Sequence, residues 1–263
     1  MKNILILGGS YDQYASVKTV NELSYNSIVI DKNNNCFCKK FSNIFINVST
    51  RDAKVIIYEL NKRNIIPDSI IVQGTDIPHI GSKIANHFGI NYISEESSLI
   101  SIDKYKLKIL LKKNDILTPN IKKIFSLSQS LKFIEENKYP VVIKPNFKSG
   151  SLGVFYVENE FELEKCYKKC IALTELNYIL IEKFINGIQI STESIIANGK
   201  IYTYGIAERN YEWLKITKPN IIENGGIQPL KNWKKYFKKI NEVLKKSCEL
   251  LSINNGFLKG DLI

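Results

Sequence analysis

The sequence has 263 residues, enough for about two domains of 100 to 150 residues each. Its net charge is +11 and its hydrophobic fraction is 44%, which is ample for packed cores. Only Arg51, Arg63 and Arg209 are arginines, so 34 of the 37 basic residues are scattered lysines. Because no cluster joins arginine to stacking aromatic residues, we expect no nucleic-acid partner. A positive field that attracts a nucleotide or an acidic substrate is compatible with this composition.

The five cysteines include no CxxC pair, and we predict reduced thiols. Cys166 and Cys170 lie one helical turn apart and could be metal ligands. Neither His79 nor His87 stands at ligand spacing from them, so simple burial is favoured. The apolar start, Ile4 to Leu7, is too short for a signal sequence and no stretch approaches a membrane span. We therefore expect a cytoplasmic protein without a membrane partner.

The segment to about residue 93 alternates strands and helices, which predicts a parallel βαβ sheet. Its first strand, KNILIL, runs into Gly8 and Gly9, and its second, SIVID, ends at Asp31. The glycines and the acid allow an NAD-binding interpretation. However, the turn lacks the third glycine of GxGxxG, so a tight strand-to-helix turn is favoured over a dinucleotide site.

A lysine-rich amphipathic helix is predicted over residues 94–114, with a serine cap and a leucine face. Lys104 directly follows Asp103 in this helix. Lysines are expected on its solvated face at Lys106, Lys108, Lys112 and Lys113. From the pattern alone, Lys104 is open to the same interpretation. Thr118 and Pro119 then break the helix.

The stretch YPVVIKPNFKSGSLGV, residues 139–154, is the strongest local signal. Val141 to Ile143 predict a buried strand, and Pro145 favours extended geometry at Lys144, which places this lysine at the mouth of a loop. Gly150 and Gly153 are predicted to adopt positive φ, so that backbone N–H groups can meet an anion. A further strand, Tyr178 to Glu182, is predicted after a helix, and together these elements predict an α+β region.

The order of these motifs, with Lys-Pro, then Gly-Ser-x-Gly-Val, then Glu182-Lys183, resembles the ATP-grasp superfamily, which includes carboxylate-amine ligases and carbamoyl-phosphate synthase large subunits. The resemblance implies a Rossmann-like pre-ATP-grasp domain over 1–93, a first lobe with its linker helix over 94–185 and an incomplete second lobe over 186–263. The implied fold class is α/β and α+β. Substrate would lie near Gly8, Gly9, Ser10, Gly74, Thr75 and Asp76, at carboxyl ends of the parallel strands.

The resemblance also implies a nucleotide site. Lys144 and Lys104 would contact the phosphates of ATP from opposite sides. The phosphate loop would be formed by Ser149, Gly150, Ser151 and Gly153. Adenine would bind at the hinge marked by Glu182 and Lys183, through the Glu182 carboxylate and the main chain of Phe184 and Ile185. The alternative for Glu182 is a solvated acid at a strand end.

The region after Gly187 is predicted as two strands around Asn198-Gly199, a type I′ hairpin signal. The resemblance places Gln189 at the ribose, where the family carries a carboxylate, and Glu193 facing the site. Arg209 is implied as a catalytic residue that clamps a carboxylate or phosphate. An ion pair of Arg209 with Glu208 or Glu212 is the open alternative.

Asp261 matches the family's first Mg²⁺ ligand. The family's second metal motif has no counterpart before Ile263, which suggests a truncation or a short natural form. The function implied is an ATP-dependent ligase that activates a small carboxylate as an acyl phosphate for attack by an amine. The alternatives are a non-catalytic nucleotide-binding or partner-binding subunit completed by another chain, and an NAD-dependent enzyme. A homodimer and a complementing chain are both left open.

Overall fold

The computed structural model describes residues 1–263, which form two compact units, Met1–Leu99 and Ile100–Ile263. The first unit has a parallel sheet and the second has two antiparallel sheets. This is the predicted combination of α/β and α+β architecture. The predicted three-part division at residues 93 and 185 stays a prediction. None of the helices is long and apolar enough to cross a membrane.

The sheet of the first unit has four parallel strands in the order β3-β2-β1-β4. These strands are β1 (Asn3–Leu7), β2 (Asn26–Ile30), β3 (Ile44–Ile46) and β4 (Ser69–Val72). The helices are α1 (Tyr14–Glu22), α2 (Ala53–Lys62) and α3 (Pro78–Phe88). β1 and β2 are apolar and buried on both faces, as parallel strands covered by helices should be.

The turn after β1 is closed by side chains of the same unit. Gly8 has φ +111°, and the Gly9 N–H donates to Asp31 Oδ2 at 2.8 Å. The Ser10 N–H donates to Gln13 Oε1 at 3.0 Å, and Gln13 is buried. These two amides are therefore not open to a phosphate, which supports the tight-turn interpretation over a dinucleotide site.

The helix predicted over residues 94–114 is in fact two helices, α4 (Glu95–Ile102) and α5 (Lys104–Lys113). Asp103 separates them with extended φ and ψ, and its side chain accepts from the Lys106 N–H to cap α5. The leucine periodicity did not reveal this break. Asp103 is an N-cap residue inside the predicted helix, and such a residue starts a new helix when its backbone is extended.

The first antiparallel sheet has the order β5-β8-β6-β7. Its strands are β5 (Ile121–Ile124), β6 (Val141–Lys144), β7 (Phe155–Val157) and β8 (Ile179–Lys183). Helices α6 (Leu127–Asn137) and α7 (Glu160–Ile171) pack on one face through a core that contains Ile143, Ile181 and the thiols of Cys166 and Cys170. Burial raises the pKa of Cys170 to about 12, so this thiol is inert packing, as expected from the sequence.

The second antiparallel sheet has the order β11-β10-β9-β12. Its strands are β9 (Gln189–Ala197), β10 (Lys200–Arg209), β11 (Gly226–Ile227) and β12 (Gly256–Leu262). Asn198 and Gly199 have φ of +49° and +73° and join β9 to β10 in two residues, which confirms the predicted hairpin turn. Helix α9 (Trp233–Leu250) packs on one face. The loop before α9 contains the short helix α8 (Leu214–Thr217).

Candidate functional site

Lys144 and Glu182 lie on the face of the first antiparallel sheet that α6 and α7 do not cover. In the β6–β8 register, Val142 is opposite Glu182 and Lys144 is opposite Leu180, so these side chains share one face. Lys144 Nζ is 2.8 Å from Glu182 Oε1. The Glu182 side chain is only 6% exposed, so the alternative of a solvated acid at the strand end is wrong.

Lys108 completes this cluster from α5. Its Nζ donates to Glu182 Oε2 at 2.7 Å, and its side chain is 22% exposed. The prediction that Lys108 lies on a solvated face is therefore wrong. Its neighbour Lys106 is exposed, as predicted. The pattern of residues does not distinguish Lys106 from Lys108, because the difference arises from how α5 packs against Glu182, 74 residues away.

The electrostatics of this cluster follow from burial. Burial lowers the pKa of Lys108 to about 8; the charge of Lys144 acts in the same direction and Glu182 opposes it. Burial also raises the pKa of Glu182, but the positive charges of Lys144 and Lys108 outweigh this and hold the pKa below its usual value. At pH 7 two ammonium groups therefore face one carboxylate.

The loop after β6 has the geometry predicted for an anion-binding turn. Gly150 and Gly153 have φ of +63° and +76°, as predicted, and Ser151 also has a positive φ of +58°. The N–H groups of Leu152 and Val154 donate within the loop, to Ser149 and Ser151. The N–H groups of Gly150, Ser151 and Gly153 have no acceptor in the chain, so they are the amides available to an anion.

The side chain of Lys104, the first residue of α5, reaches the start of the loop after β6. Its Nζ donates to the carbonyl oxygens of Asn146 at 2.9 Å and Lys148 at 2.7 Å. Lys104 is thus next to the predicted phosphate loop, although its ammonium is turned to the backbone. Because of these two hydrogen bonds, Lys104 differs from the exposed Lys106 and is not a lysine of the solvated face.

Asn146 is a residue that the sequence did not single out. It is fully buried, and its amide donates to Asp103 Oδ1 at 3.0 Å and to the Tyr178 hydroxyl at 3.2 Å. Its Oδ1 accepts from the Tyr105 N–H at 3.1 Å. Asn146 therefore fixes the start of α5 against the loop after β6. In the sequence, only the position of Asn146 directly after the Lys-Pro pair could have indicated this role.

Some groups of the predicted adenine hinge already form hydrogen bonds within the chain. The Phe184 N–H donates to the Pro140 carbonyl at 3.3 Å, so the predicted contact of the Phe184 main chain with adenine stays a prediction that would use its carbonyl oxygen. Lys183 Nζ lies near the carbonyls of Lys138 at 3.2 Å and Tyr139 at 3.3 Å. Ile185 is exposed and its main chain remains a candidate contact for adenine.

Arg209 is the centre of a second group, on the second antiparallel sheet. Its Nη1 is 3.0 Å from Glu223 Oε2, and its Nη2 is 3.2 Å from both Asp261 Oδ1 and Ser191 Oγ. The partners suggested by the sequence, Glu208 and Glu212, are wrong, because the acids that reach Arg209 come from a loop and from β12.

Gln189 and Glu193 are on the same face of β9 as Ser191. Gln189 is opposite Arg209 in the register, and Glu193 is opposite Lys259 and is exposed. The site residues predicted from the sequence therefore fall into two groups, one on each antiparallel sheet of the second unit. Gln189, Arg209 and Asp261 form one group, and Lys104, Lys144, Glu182 and the glycine loop form the other.

Asp261, the predicted Mg²⁺ ligand, offers a single carboxylate, which pairs with Arg209 Nη2 at 3.2 Å. Its carboxylate is 69% exposed on the face opposite α9, where oxygen atoms can approach it. No group of three or more histidine, cysteine or acidic residues in the chain is placed so that it could hold a metal ion. If Mg²⁺ binds with the nucleotide, Asp261 would be its one protein carboxylate, and phosphate oxygens and water would have to supply the other ligands.

A family model described as an ATP-grasp domain matches residues 101–263. The chain belongs to the ATP-grasp family. The match spans both antiparallel sheets and every residue of the predicted nucleotide and metal sites. It starts two residues before the Asp103 cap, so the boundary falls close to the division between the two compact units.

Solved structures with this fold cover the whole chain. Phosphoribosylglycinamide synthetase from Anaerococcus prevotii is 19% identical with a TM-score of 0.74, over 100% of this chain and 64% of that one. L-amino acid ligase from Bacillus licheniformis is 17% identical with a TM-score of 0.79, over 100% and 63%. N5-carboxyaminoimidazole synthetase from Staphylococcus aureus, complexed with ADP, is 19% identical with a TM-score of 0.80, over 99% and 66%.

At these identities the similarity shows a shared ATP-grasp fold, including the parallel-sheet unit that precedes the matched domain. The chain spans slightly less than two thirds of the length of these three structures. Their activities therefore inform a proposal for this chain and do not define its reaction.

Proposed function

We propose that this chain is the nucleotide-binding part of an ATP-dependent ligase, which activates a small carboxylate as an acyl phosphate for attack by an amine or similar nucleophile. The observation that carries the proposal is the buried Lys108–Glu182–Lys144 cluster beside a loop with unpaired amides, within an ATP-grasp domain. One phosphorylated cosubstrate can neutralise the lysines and satisfy the amides together.

The residues take separate roles in this proposal. Lys144, Lys104 and the amides of Gly150, Ser151 and Gly153 bind the phosphates of ATP. Glu182 and the main chain of Phe184 and Ile185 bind adenine at the hinge that Lys183 marks, and Gln189 binds the ribose. Phosphoryl transfer needs little covalent chemistry from the protein, so positioned positive charge is the main contribution expected of these groups.

Arg209, Asp261 and Glu193 belong to the acceptor and metal side of the proposed site. Mg²⁺ held at Asp261 would supply charge that neutralises the phosphate oxygens. Arg209 is proposed to orient the acceptor carboxylate through its planar fork of donors.

A second candidate is a subunit that binds the nucleotide without catalysis. Asp261 favours it, because this one carboxylate is paired with Arg209 and no cluster of metal ligands surrounds it. A loosely held ion supports binding better than it supports phosphoryl transfer, which needs the β- and γ-phosphate oxygens held in line.

The test is the thermal midpoint of the chain with ATP, ADP or NAD, each with Mg²⁺. A ligand that binds the folded state raises the midpoint, so ATP and ADP should raise it and NAD should not. An equal shift from NAD, or none from either adenine nucleotide, would contradict the assignment. ADP release that depends on added carboxylate and amine, and is lost in Asp261→Asn, would favour the ligase over the binding subunit.

A further inference from the structure

The buried cluster on α5, β6 and β8 has more positive charge than negative charge. Two ammonium groups, of Lys108 and Lys144, contact the two oxygens of one carboxylate at 2.7 Å and 2.8 Å. The three side chains are 22%, 14% and 6% exposed. A net positive charge in such a place is costly unless an anion compensates for it.

The two lysines differ in their freedom to reach an anion. Lys144 ends β6 and is followed by the loop with the unpaired amides of Gly150 and Ser151. Lys108 is in the middle of α5, whose start is fixed by the Asp103 cap and by the amide of Asn146. Lys144 can therefore turn from Glu182 to a phosphate, whereas Lys108 remains where the helix holds it.

We propose that Lys108 is a positioning residue of the nucleotide site, which keeps the Glu182 carboxylate charged and in place while Lys144 leaves it to bind phosphate. The inference rests on the nucleotide binding proposed above. Without Lys108, Lys144 would be the sole partner of a buried carboxylate, and its release to the phosphate would leave that charge uncompensated. With Lys108 in place, Glu182 keeps a cationic partner when Lys144 moves to the phosphate.

The protonation of Lys108 gives this role a signature that packing alone would not have. The charged groups that face Lys108 are Lys144, from β6, and Glu182, from β8. In the free protein its pKa is about 8. A polyphosphate beside Lys144 adds negative charge and offsets the repulsion between the two lysines, so it should raise this pKa. By linkage, nucleotide binding near pH 8 should then take up a proton.

The experiment is calorimetry of MgADP binding to the full chain at pH 7 and pH 8, each in two buffers of different ionisation enthalpy. For the unmodified chain we expect uptake of roughly half a proton per nucleotide at pH 8 and much less at pH 7, given a free-state pKa of about 8. The nucleotide phosphates, with a second pKa of about 6, contribute little change at pH 8.

Three variants separate positioning from packing. Lys108→Met keeps the length of the side chain but should weaken MgADP binding roughly tenfold and abolish proton uptake. Lys108→Arg should restore much of the affinity without the uptake, because arginine stays protonated. Lys106→Met, on the exposed face of the same helix, should match the unmodified chain in both properties. If Lys108→Met does not fold, Lys108→Gln replaces it.

The outcomes distinguish this inference from the proposed function. If the unmodified chain binds MgADP without proton uptake at pH 8, or if the folded Lys108→Met or Lys108→Gln variant binds it equally well, the role of Lys108 is refuted and nucleotide binding stands. If the unmodified chain binds no MgADP, the proposed function fails and this inference fails with it.

Discussion

Lys144 is the residue on which the proposed chemistry depends most. Lys144→Ala should weaken ATP binding by roughly tenfold to a hundredfold, because a charge-assisted contact to phosphate is lost. The fold should persist, since Lys108 still compensates Glu182 at 2.7 Å. Calorimetry of ATP binding, with circular dichroism to establish folding, measures both effects.

Lys106→Ala is the matched control for Lys144, because Lys106 is exposed on α5 and its side chain has no role in the site. If both folded variants bind ATP with the same affinity, Lys144 is not the phosphate lysine. The comparison removes any general effect of lowering the charge of a chain with a net charge of +11.

Alanine substitutions at Gly153 and Gly150 test how strongly the backbone of the loop after β6 requires glycine. A Cβ on Gly153 would be 2.9 Å from Leu173 Cδ1 and 3.0 Å from Pro145 Cγ, and φ there is +76°. A Cβ on Gly150 would meet nothing within 4 Å, so only its φ of +63° opposes substitution. Gly153→Ala should therefore lower the free energy of unfolding by about 2 to 3 kcal/mol and Gly150→Ala by about 1 kcal/mol.

Urea unfolding of the two alanine variants measures this difference. Equal losses would mean that Leu173 and Pro145 move aside at little cost, and that only the backbone conformation requires glycine at both positions. A loss at Gly150 that exceeds the loss at Gly153 would contradict the packing argument.

Backbone features that follow from the local sequence were predicted correctly. Lys144 ends a strand because three β-formers precede it and a proline follows. The positive φ angles of Gly150, Gly153 and the Asn198-Gly199 turn follow from residues that tolerate the left-handed region. Lys108, Asn146 and Glu223 were missed because their partners are 14 to 74 residues away, and composition does not specify which distant chain will be their neighbour.

At the scale of elements, the loop between β10 and β11 brings an acid to the arginine that is proposed to orient the acceptor. Glu223 is 3.0 Å from Arg209 Nη1, and thus occupies part of a guanidinium that could bind the carboxylate or phosphate of a ligand. Asp261, from β12, occupies Nη2 at 3.2 Å. Arg209 is therefore preorganised but already paired.

Glu223→Gln should strengthen the binding of a small anion at Arg209, because the amide no longer competes as a carboxylate does. With inorganic phosphate as the probe, we expect an apparent affinity roughly threefold to tenfold higher, measured from the rise in thermal midpoint with phosphate concentration. Glu212→Gln makes the same change of charge at an exposed acid that does not contact Arg209. An equal response from the two variants would attribute the gain to net charge alone.

At the scale of the whole molecule, the alternation of strands and helices predicted the parallel sheet, because buried parallel strands read as continuous apolar runs. The order of strands in the two antiparallel sheets was not predictable in this way. β8 lies between β5 and β6, although β6 and β7 separate it from β5 in the sequence. Such pairings depend on long-range packing, which is why the resemblance of several motifs in order was more informative than any one of them.

The two compact units should respond differently to a nucleotide. Hydrogen exchange of the full chain should show MgADP slowing the amides of Gly150, Ser151 and Gly153, because these N–H groups have no acceptor until a phosphate arrives. Gly9 and Ser10 already donate to Asp31 and Gln13, so their exchange should be unchanged.

Asp31→Asn supplies the matched control for this comparison. It weakens the acceptor at the first turn, so Gly9 should exchange faster, while the affinity for MgADP should stay the same because the two turns belong to different units. Protection of Gly9 and Ser10 by MgADP or NAD, with no change at residues 150–153, would assign the nucleotide to the parallel sheet. That result would restore the dinucleotide interpretation, in which the phosphate binds at the turn between the first strand and the following helix.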